Sequence, residues 1–246
     1  MPLESKMKSL LKTYKANRAF RNDFDRFSED SKRNGSRFEI SWEDRYPCLD
    51  DRHSAMPFDP HYIYHTAWAA RLVAQTAPAL HVDISSLLYF STIISAFVPV
   101  EFYDYRPAGV ELDRFSSKHA DLLSLPFKSG SVSSISCMHV VEHVGLGRYG
   151  DHLDPDGDLK AMDELKRILA VNGSLLFVVP VGRPKIMFNA HRIYSHEMIT
   201  DAFSELELAE FSLIPDDTKS GMIRNASKEM ADAQTYGCGC FWFMRK

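Results

Sequence analysis

Residues 80–107, LHVDISSLLYFSTIISAFVPVEFYDYRP, decide how the rest of the chain is read. A short apolar run ending near Asp83 is followed by a polar turn, a helix-like segment over 87–97, and a second apolar run that ends in an acid, Asp104. Strand, turn, helix and strand in that order form a crossover unit, and crossovers of helix length join parallel strands. In sheets of this kind ligands bind beyond the carboxyl ends of the strands, and an acid closing the second strand can accept hydrogen bonds from both hydroxyls of a ribose. The turn that such a unit normally fills with glycine reads Ser85-Ser86-Leu87-Leu88 instead.

The same alternation continues outward. Apolar runs occur at 80–84, 100–104, 132–141 and 174–181, and helical patterns near 87–97, near 159–170 and after Ser195. This predicts an α/β fold with a mostly parallel sheet and helices on both faces. The last two strand-like runs, LELAEFSLIP and CGCFWFMRK, have no strong helix between them and read as an antiparallel C-terminal edge hairpin. Upstream, a helix starts at Asp59-Pro60 and ends before Pro78, with proline in its expected places. Residues 34–60 carry turn chemistry. Residues 1–33 hold nine Lys or Arg against five Asp or Glu, with Met7, Leu10, Leu11, Tyr14, Phe20, Phe24 and Phe27 at roughly helical spacing. Such a helix packs its stripe on a domain or rests on an anionic membrane surface. The chain therefore divides into an extension, 1–58, and an α/β domain, 59–246.

Of 246 residues, 45% are hydrophobic and 25% charged, the balance of a soluble globular protein. A net charge of −4 gives no electrostatic case for binding nucleic acid. No apolar run approaches the roughly eighteen residues of a membrane span, and the N-terminus lacks the apolar core of a signal peptide. Four cysteines at 48, 137, 238 and 240 fit a reduced, cytoplasmic protein. The sequence leaves the oligomeric state undefined.

Candidate site residues follow from the strand ends. Asp83, Ser85 and Ser86 close the first strand; Asp104 and Tyr105 close the second; Asp121 and Leu122, in ADLLSLPF, are placed to meet an exocyclic amine such as that of adenine. Next comes the densest polar segment, SCMHVVEHVGLGRYGDHLDPDGD. In an extended strand His139 and His143 would share one face and Glu142 the other, a parity that ends where the strand does. A near-neutral histidine there is a natural general base. GLGRYG matches GxGxxG, but no apolar helix follows at once, so the glycines shape a long loop presenting Arg148, Tyr149 and Asp151 to a substrate. Asp158 reads as the N-cap of the next helix. In FNAHRIYS, Asn189, His191, Arg192 and Tyr194 offer further substrate contacts, with Ser195 capping a helix. His61 and His65 read as pocket-lining and Cys238 and Cys240 as core residues, so no metal is expected.

These segments resemble the class I S-adenosylmethionine-dependent methyltransferases over residues 60–246, with the Rossmann-like sheet of that superfamily. HVDISSLLYF lies where that superfamily has its glycine motif, and VEFYD resembles its ribose-binding acid. ADLLSLPFKSGSVSSISCMHVVEHV resembles its adenine-contact strand and the segment beyond that strand. More narrowly, VEHVGLGRYGD, FNAHRIYS and YGCGCFWF are similar to a bacterial family, domain of unknown function 268, whose members tend to accompany surface-polysaccharide genes. The resemblance implies S-adenosylmethionine as cofactor, Asp104 on its ribose, Asp121 and Leu122 on its adenine, Asp83 beneath its amino-acid end, and His139, Glu142 and His143 on the methyl-transfer side, with His191 and Arg192 read as orienting the acceptor. It further implies a small-molecule or lipid-linked sugar as acceptor. Leu87, Leu88 and Tyr89 are large enough to crowd a methionine tail, so a displaced cofactor or another ligand is expected at that turn. Two other readings stand beside this one: a glycosyltransferase holding Mg²⁺ among Asp151 to Asp158, and a non-catalytic partner protein keeping the frame.

Overall fold

The computed structural model describes residues 3–246 apart from positions 36, 52, 53 and 55. The chain divides into two units, Met1–Phe58 and Asp59–Lys246. In the first, α1 spans Leu3–Arg33. Phe20 and Phe24 meet Trp42 at 6.0 and 4.9 Å between ring centroids, and the Arg21 and Arg45 guanidinium groups lie over the same indole at 4.0 and 4.6 Å. Met7, Leu10, Leu11, Tyr14 and Phe27 are exposed. Among the described residues no helix is long and apolar enough to cross a membrane.

The second unit opens with α2, Pro60–Thr76. Asp59 caps it by accepting from the Tyr62 N–H, Pro60 fills the first turn, and Ala77 ends it in the left-handed region at φ 42°. There follow β1 (His81–Ile84), α3 (Leu88–Ile94), β2 (Val100–Asp104), β3 (Phe115–His119), β4 (Val132–Met138), α4 (Gly157–Ile168) and β5 (Leu169–Val181). The short strands β6 (Lys185–Met187) and β7 (His191–Ile193) form a separate hairpin. The chain closes with α5 (His196–Ala202), β8 (Glu207–Ile214), β9 (Ile223–Arg224), α6 (Lys228–Asp232) and β10 (Gly237–Met244).

The main sheet runs β3-β2-β1-β4-β5-β10-β8-β9. Its first five strands are parallel. β10 then enters antiparallel between β5 and β8. Two cores cover the two faces, and β5 shows why. Leu175, Phe177, Val179 and Val181 enter one cluster with α4 and α5, while Leu176 and Val178 enter the other with α2 and α3. Every residue of β5 from Gly173 on is buried, as a strand covered on both sides requires.

Three features depart from the sequence reading. β3 was not among the expected strands, because in FSSKH only Phe115 is buried and the ladder to β2 does the rest. The segment after β5 contains the β6–β7 hairpin rather than a plain loop. Asp156, not Asp158, takes the cap position of α4.

α2 is tied across its sheet face by one buried bond. The Trp68 indole N–H donates to Glu210 on β8 at 2.9 Å, and Glu210 also accepts from Ser212 and Arg224. Trp68→Phe keeps most of the ring but removes that donor, so a loss of about 1–3 kcal/mol is expected from the urea midpoint. An unchanged midpoint would show that the bond adds nothing net.

Candidate functional site

The turn after β1 does with serine what glycine usually does. Ser85 sits at φ 54°, in the left-handed region. It is held there by its N–H and its hydroxyl, which both donate to the Tyr103 carbonyl, at 2.7 and 3.1 Å. Ser86 is buried and accepts from the Met138 N–H at 3.0 Å. The crowding expected here does not arise. Leu87 and Leu88 pack against the α2-side core, and Tyr89 is 75% exposed, turned outward.

Asp104 stands at the end of β2, with one carboxylate oxygen accepting from the Arg106 N–H at 2.7 Å. Its second oxygen has no hydrogen-bond partner among the described residues. Tyr105 is exposed beside His119. Asp121 accepts from the Leu123 N–H to close its turn, and the Leu122 side chain lies in the core, leaving only its backbone for a ligand.

Asp83, expected beneath the cofactor, reaches no surface. Ser91 and Ser136 donate their hydroxyls to it, His81 donates Nε2–H to Ser136 at 2.9 Å, and Ser134 donates to His81 Nδ1 at 2.8 Å. Period-two alternation puts these side chains on the α2 face of β1 and β4.

At the end of β4 the chain kinks. His139 has φ 57°, and Val141–His143 forms a 3-10 turn. Strand parity ends there, and the three polar groups converge. His139 Nδ1 lies 2.9 Å from Glu142 Oε1, and His143 Nε2 lies 3.8 Å from the same oxygen. His143 donates Nδ1–H to the Ala190 carbonyl at 2.6 Å, which leaves its Nε2 as the basic atom. His139 is nearly enclosed, its Nε2 3.4 Å from Cys238 Sγ. Burial disfavours its charged form, but Cys238 and Glu142 outweigh burial and hold its pKa above the ordinary range. α2 closes this group from one side. The ring of His61 stacks on His139 at 5.7 Å and that of His65 meets it edge-on at 5.1 Å. Burial, with His139 beside it, lowers His61 to about 4 and holds His65 well below its ordinary range. Tyr236 stacks on His61 and touches His191. Burial lowers His191 as well.

Sequence reasoning passed over Tyr62, whose ring lies 5.6 Å from that of His139, as well as Tyr236 and the proximity of Cys238. The signal was the last strand itself, since the first residues of an antiparallel strand fall at the carboxyl edge of its parallel neighbours.

Three expected substrate contacts serve the loop instead. The Asp151 carboxylate accepts from the N–H groups of Gly145, Gly147 and Tyr149. Arg192 is 5% exposed. It donates to the carbonyls of Val144 and Pro155 and pairs with Asp158 at 3.5 Å. Tyr194 is buried and donates its hydroxyl to Asp158 at 3.0 Å. Asp151 closes the loop on itself, while Arg192 and Tyr194 fasten residues 144–158 to β7 and the residue that follows it. Asn189 is exposed at the β6–β7 turn. Arg148 and Tyr149 are exposed near His143, and Arg106 and Arg148 both lie over the Tyr149 ring at 5.1 Å.

The family described as "Caenorhabditis protein of unknown function, DUF268" matches residues 113–234, from β3 through α6. That description carries neither a bacterial origin nor a link to polysaccharide genes. No curated protein matches the chain. Solved structures do. The N-methyltransferase NodS of Bradyrhizobium japonicum, with S-adenosylhomocysteine, is 15% identical at a TM-score of 0.52, over 80% of this chain and 93% of its own. The 1,6-didemethyltoxoflavin-N1-methyltransferase of Burkholderia thailandensis is 11% identical at 0.52, over 79% and 93%. A geranyl diphosphate methyltransferase with S-adenosylmethionine is 16% identical at 0.52, over 74% and 85%. The fold is the Rossmann-like fold of the class I methyltransferases.

Within this methyltransferase fold the buried chain under β1 carries two opposed pKa shifts. Burial raises Asp83 to about 6, against its serine hydrogen bonds. Burial lowers His81 to about 3. Between an unfolded value of about 3.9 and the folded one, folded Asp83 keeps a proton that the unfolded chain has lost, so its contribution falls as pH rises. His81 acts oppositely, losing stability as pH falls below about 6.5. Asp83→Asn removes only the first effect. Its destabilisation by urea unfolding is expected to be roughly 2–3 kcal/mol larger at pH 4 than at pH 8. Equal losses at both pH values would contradict the shift.

Proposed function

We propose that this protein transfers a methyl group from S-adenosylmethionine to a hydroxyl of a sugar or glycan precursor, with His143 as general base. The observation that carries this reading is the pairing, at adjoining strand ends, of a cofactor frame with a basic nitrogen. Ser85 gives the first turn its left-handed backbone, Asp104 keeps one carboxylate oxygen for a ribose, and His143 Nε2 is left basic by the Ala190 carbonyl. Asp121 and the Leu122 backbone take the adenine side. S-adenosylmethionine supplies an electrophilic methyl on a sulfonium. His143 Nε2 takes the acceptor's hydroxyl proton, and Glu142, beside it, steadies the imidazolium that forms.

Arg192 no longer serves to orient the acceptor. Arg106 and Arg148, gathered at Tyr149, replace it and favour an anionic acceptor: an acidic sugar or a lipid-linked or nucleotide-linked sugar phosphate. All four cysteines are free, which suits work in the reducing cytoplasm. A glycosyltransferase holding Mg²⁺ among Asp151 to Asp158 has less support. Asp151 is spent on backbone N–H groups, Asp154 on Lys160 and Asp158 on Tyr194 and Arg192.

Isothermal titration with S-adenosylmethionine and S-adenosylhomocysteine tests the reading. Micromolar binding is expected, weakened about 10- to 100-fold in Asp104→Ala, which removes a charged hydrogen-bond acceptor, and unchanged in His143→Gln. No binding of either ligand at millimolar concentration would remove the methyltransferase assignment and leave the fold.

A further inference from the structure

Among the described residues, two buried side-chain polar atoms have no hydrogen-bond partner: Nε2 of His65 and Oε2 of Glu142. His65 faces the His61 carbonyl through Nδ1 at 2.6 Å, so Nδ1 carries the hydrogen and Nε2 is a bare lone pair. Both orphans are therefore electron-pair donors, and both flank His139. Buried polar groups are nearly always satisfied, so two bare lone pairs around His139 mark its surroundings as suited to positive charge.

The second observation comes from His139 itself. One ligating atom each from His61, His139 and Cys238 lie within 4.8 Å of one another. We propose that His61, His139 and Cys238 bind a divalent transition-metal ion of the zinc class.

The geometry is that of a site set before the ion arrives. Glu142 fixes His139 through Nδ1, which turns Nε2 toward Cys238, the carboxylate–histidine–metal arrangement that orients imidazole ligands. Nε2 and Sγ are 3.4 Å apart. Metal–nitrogen and metal–sulfur bonds of about 2.0 and 2.3 Å at a tetrahedral angle span about 3.5 Å, so this edge needs almost no movement. Two imidazoles and a thiol favour zinc-type ions over Mg²⁺ or Ca²⁺. Three protein ligands leave one tetrahedral position for water or a substrate oxygen, the pattern of sites that take part in reactions. His61 comes from the first turn of α2, His139 from the end of β4 and Cys238 from the start of β10. A metal here departs from the sequence expectation of none, since the ligands are far apart in sequence and only the antiparallel entry of β10 unites them. Binding displaces one proton from the Cys238 thiol and one from His139 Nε2 to solvent, so that sulfur and nitrogen both offer lone pairs to the ion. The site stands whether or not methyl transfer does.

The test is a titration of the chelator-treated full chain with Co²⁺. One equivalent is expected to give the visible absorption of a tetrahedral ion together with a thiolate-to-cobalt charge-transfer band, both displaced by Zn²⁺. Cys238→Ser is expected to abolish the charge-transfer band. His61→Ala is expected to weaken binding at least tenfold, and Glu142→Gln by about 10- to 100-fold with the band kept. Absence of the thiolate band in the native chain, or unchanged affinity in either His61→Ala or Cys238→Ser, would overturn the proposal.

Discussion

The antiparallel pairing of β10 with β5 is the contact on which the rest of the molecule depends. Residues Gly237–Met244 pair in register with Val181–Ser174 on one side and, with one shift between Trp242 and Phe243, with β8 on the other, so the chain's last strand lies inside the sheet. Close approach at Gly239 is part of this: a Cβ there would stand 2.5 Å from Val181 Cγ1. The insertion buries Phe241 and Phe243 in one core and Cys238 and Cys240 in the other. It also reverses the direction of the strand, so that its beginning, not its end, joins the carboxyl edge where β1, β2 and β4 finish.

The α2 face of the sheet carries two kinds of polar work, one beneath the strands and one at their carboxyl edge. Under β1 the Asp83, Ser136, His81 and Ser134 side chains form a closed chain in which each donor has an acceptor. Such a network is worth its burial because nothing in it is left unpaired. Past β4 the pattern differs. His139, Glu142 and His65 are as deeply placed, yet two lone pairs face no donor. A satisfied network holds strands together, and an unsatisfied one at a strand end is equipped to hold something else.

Much of the fold could be read in the sequence because buried strands write themselves as apolar runs. β1, β2, β4 and β5 are such runs, and Ser195 caps α5 where its position in the sequence suggested. β3 could not be read so, since its outer residues face solvent and backbone pairing alone defines it. The site was legible in part. Asp104, His139, Glu142 and His143 stand at the strand ends where their spacing put them. The reading of the first turn failed for a local reason, because residue type suggested crowding while the backbone sends Leu87 and Leu88 into the core. Arg192, Tyr194 and Asp151 looked like ligand contacts because polar residues in loops usually face outward; the buried bonds of Arg192 and Tyr194 depend on a hairpin no periodicity announced, and Asp151 turns back on its own loop. The meeting of His61, His139 and Cys238 depends on strand order, which is the least local property of a chain.

On the function proposed above, the strand ends of β1, β2 and β4 admit an adenosyl cofactor although their first turn has no glycine. The most direct measurement is an amide ¹H–¹⁵N correlation spectrum of the labelled chain with and without S-adenosylhomocysteine. Shifts concentrated at Ser85–Leu88, Asp104–Arg106 and Asp121–Leu123 are predicted. An unchanged spectrum at saturating ligand, or shifts confined to residues away from these turns, would contradict the claim.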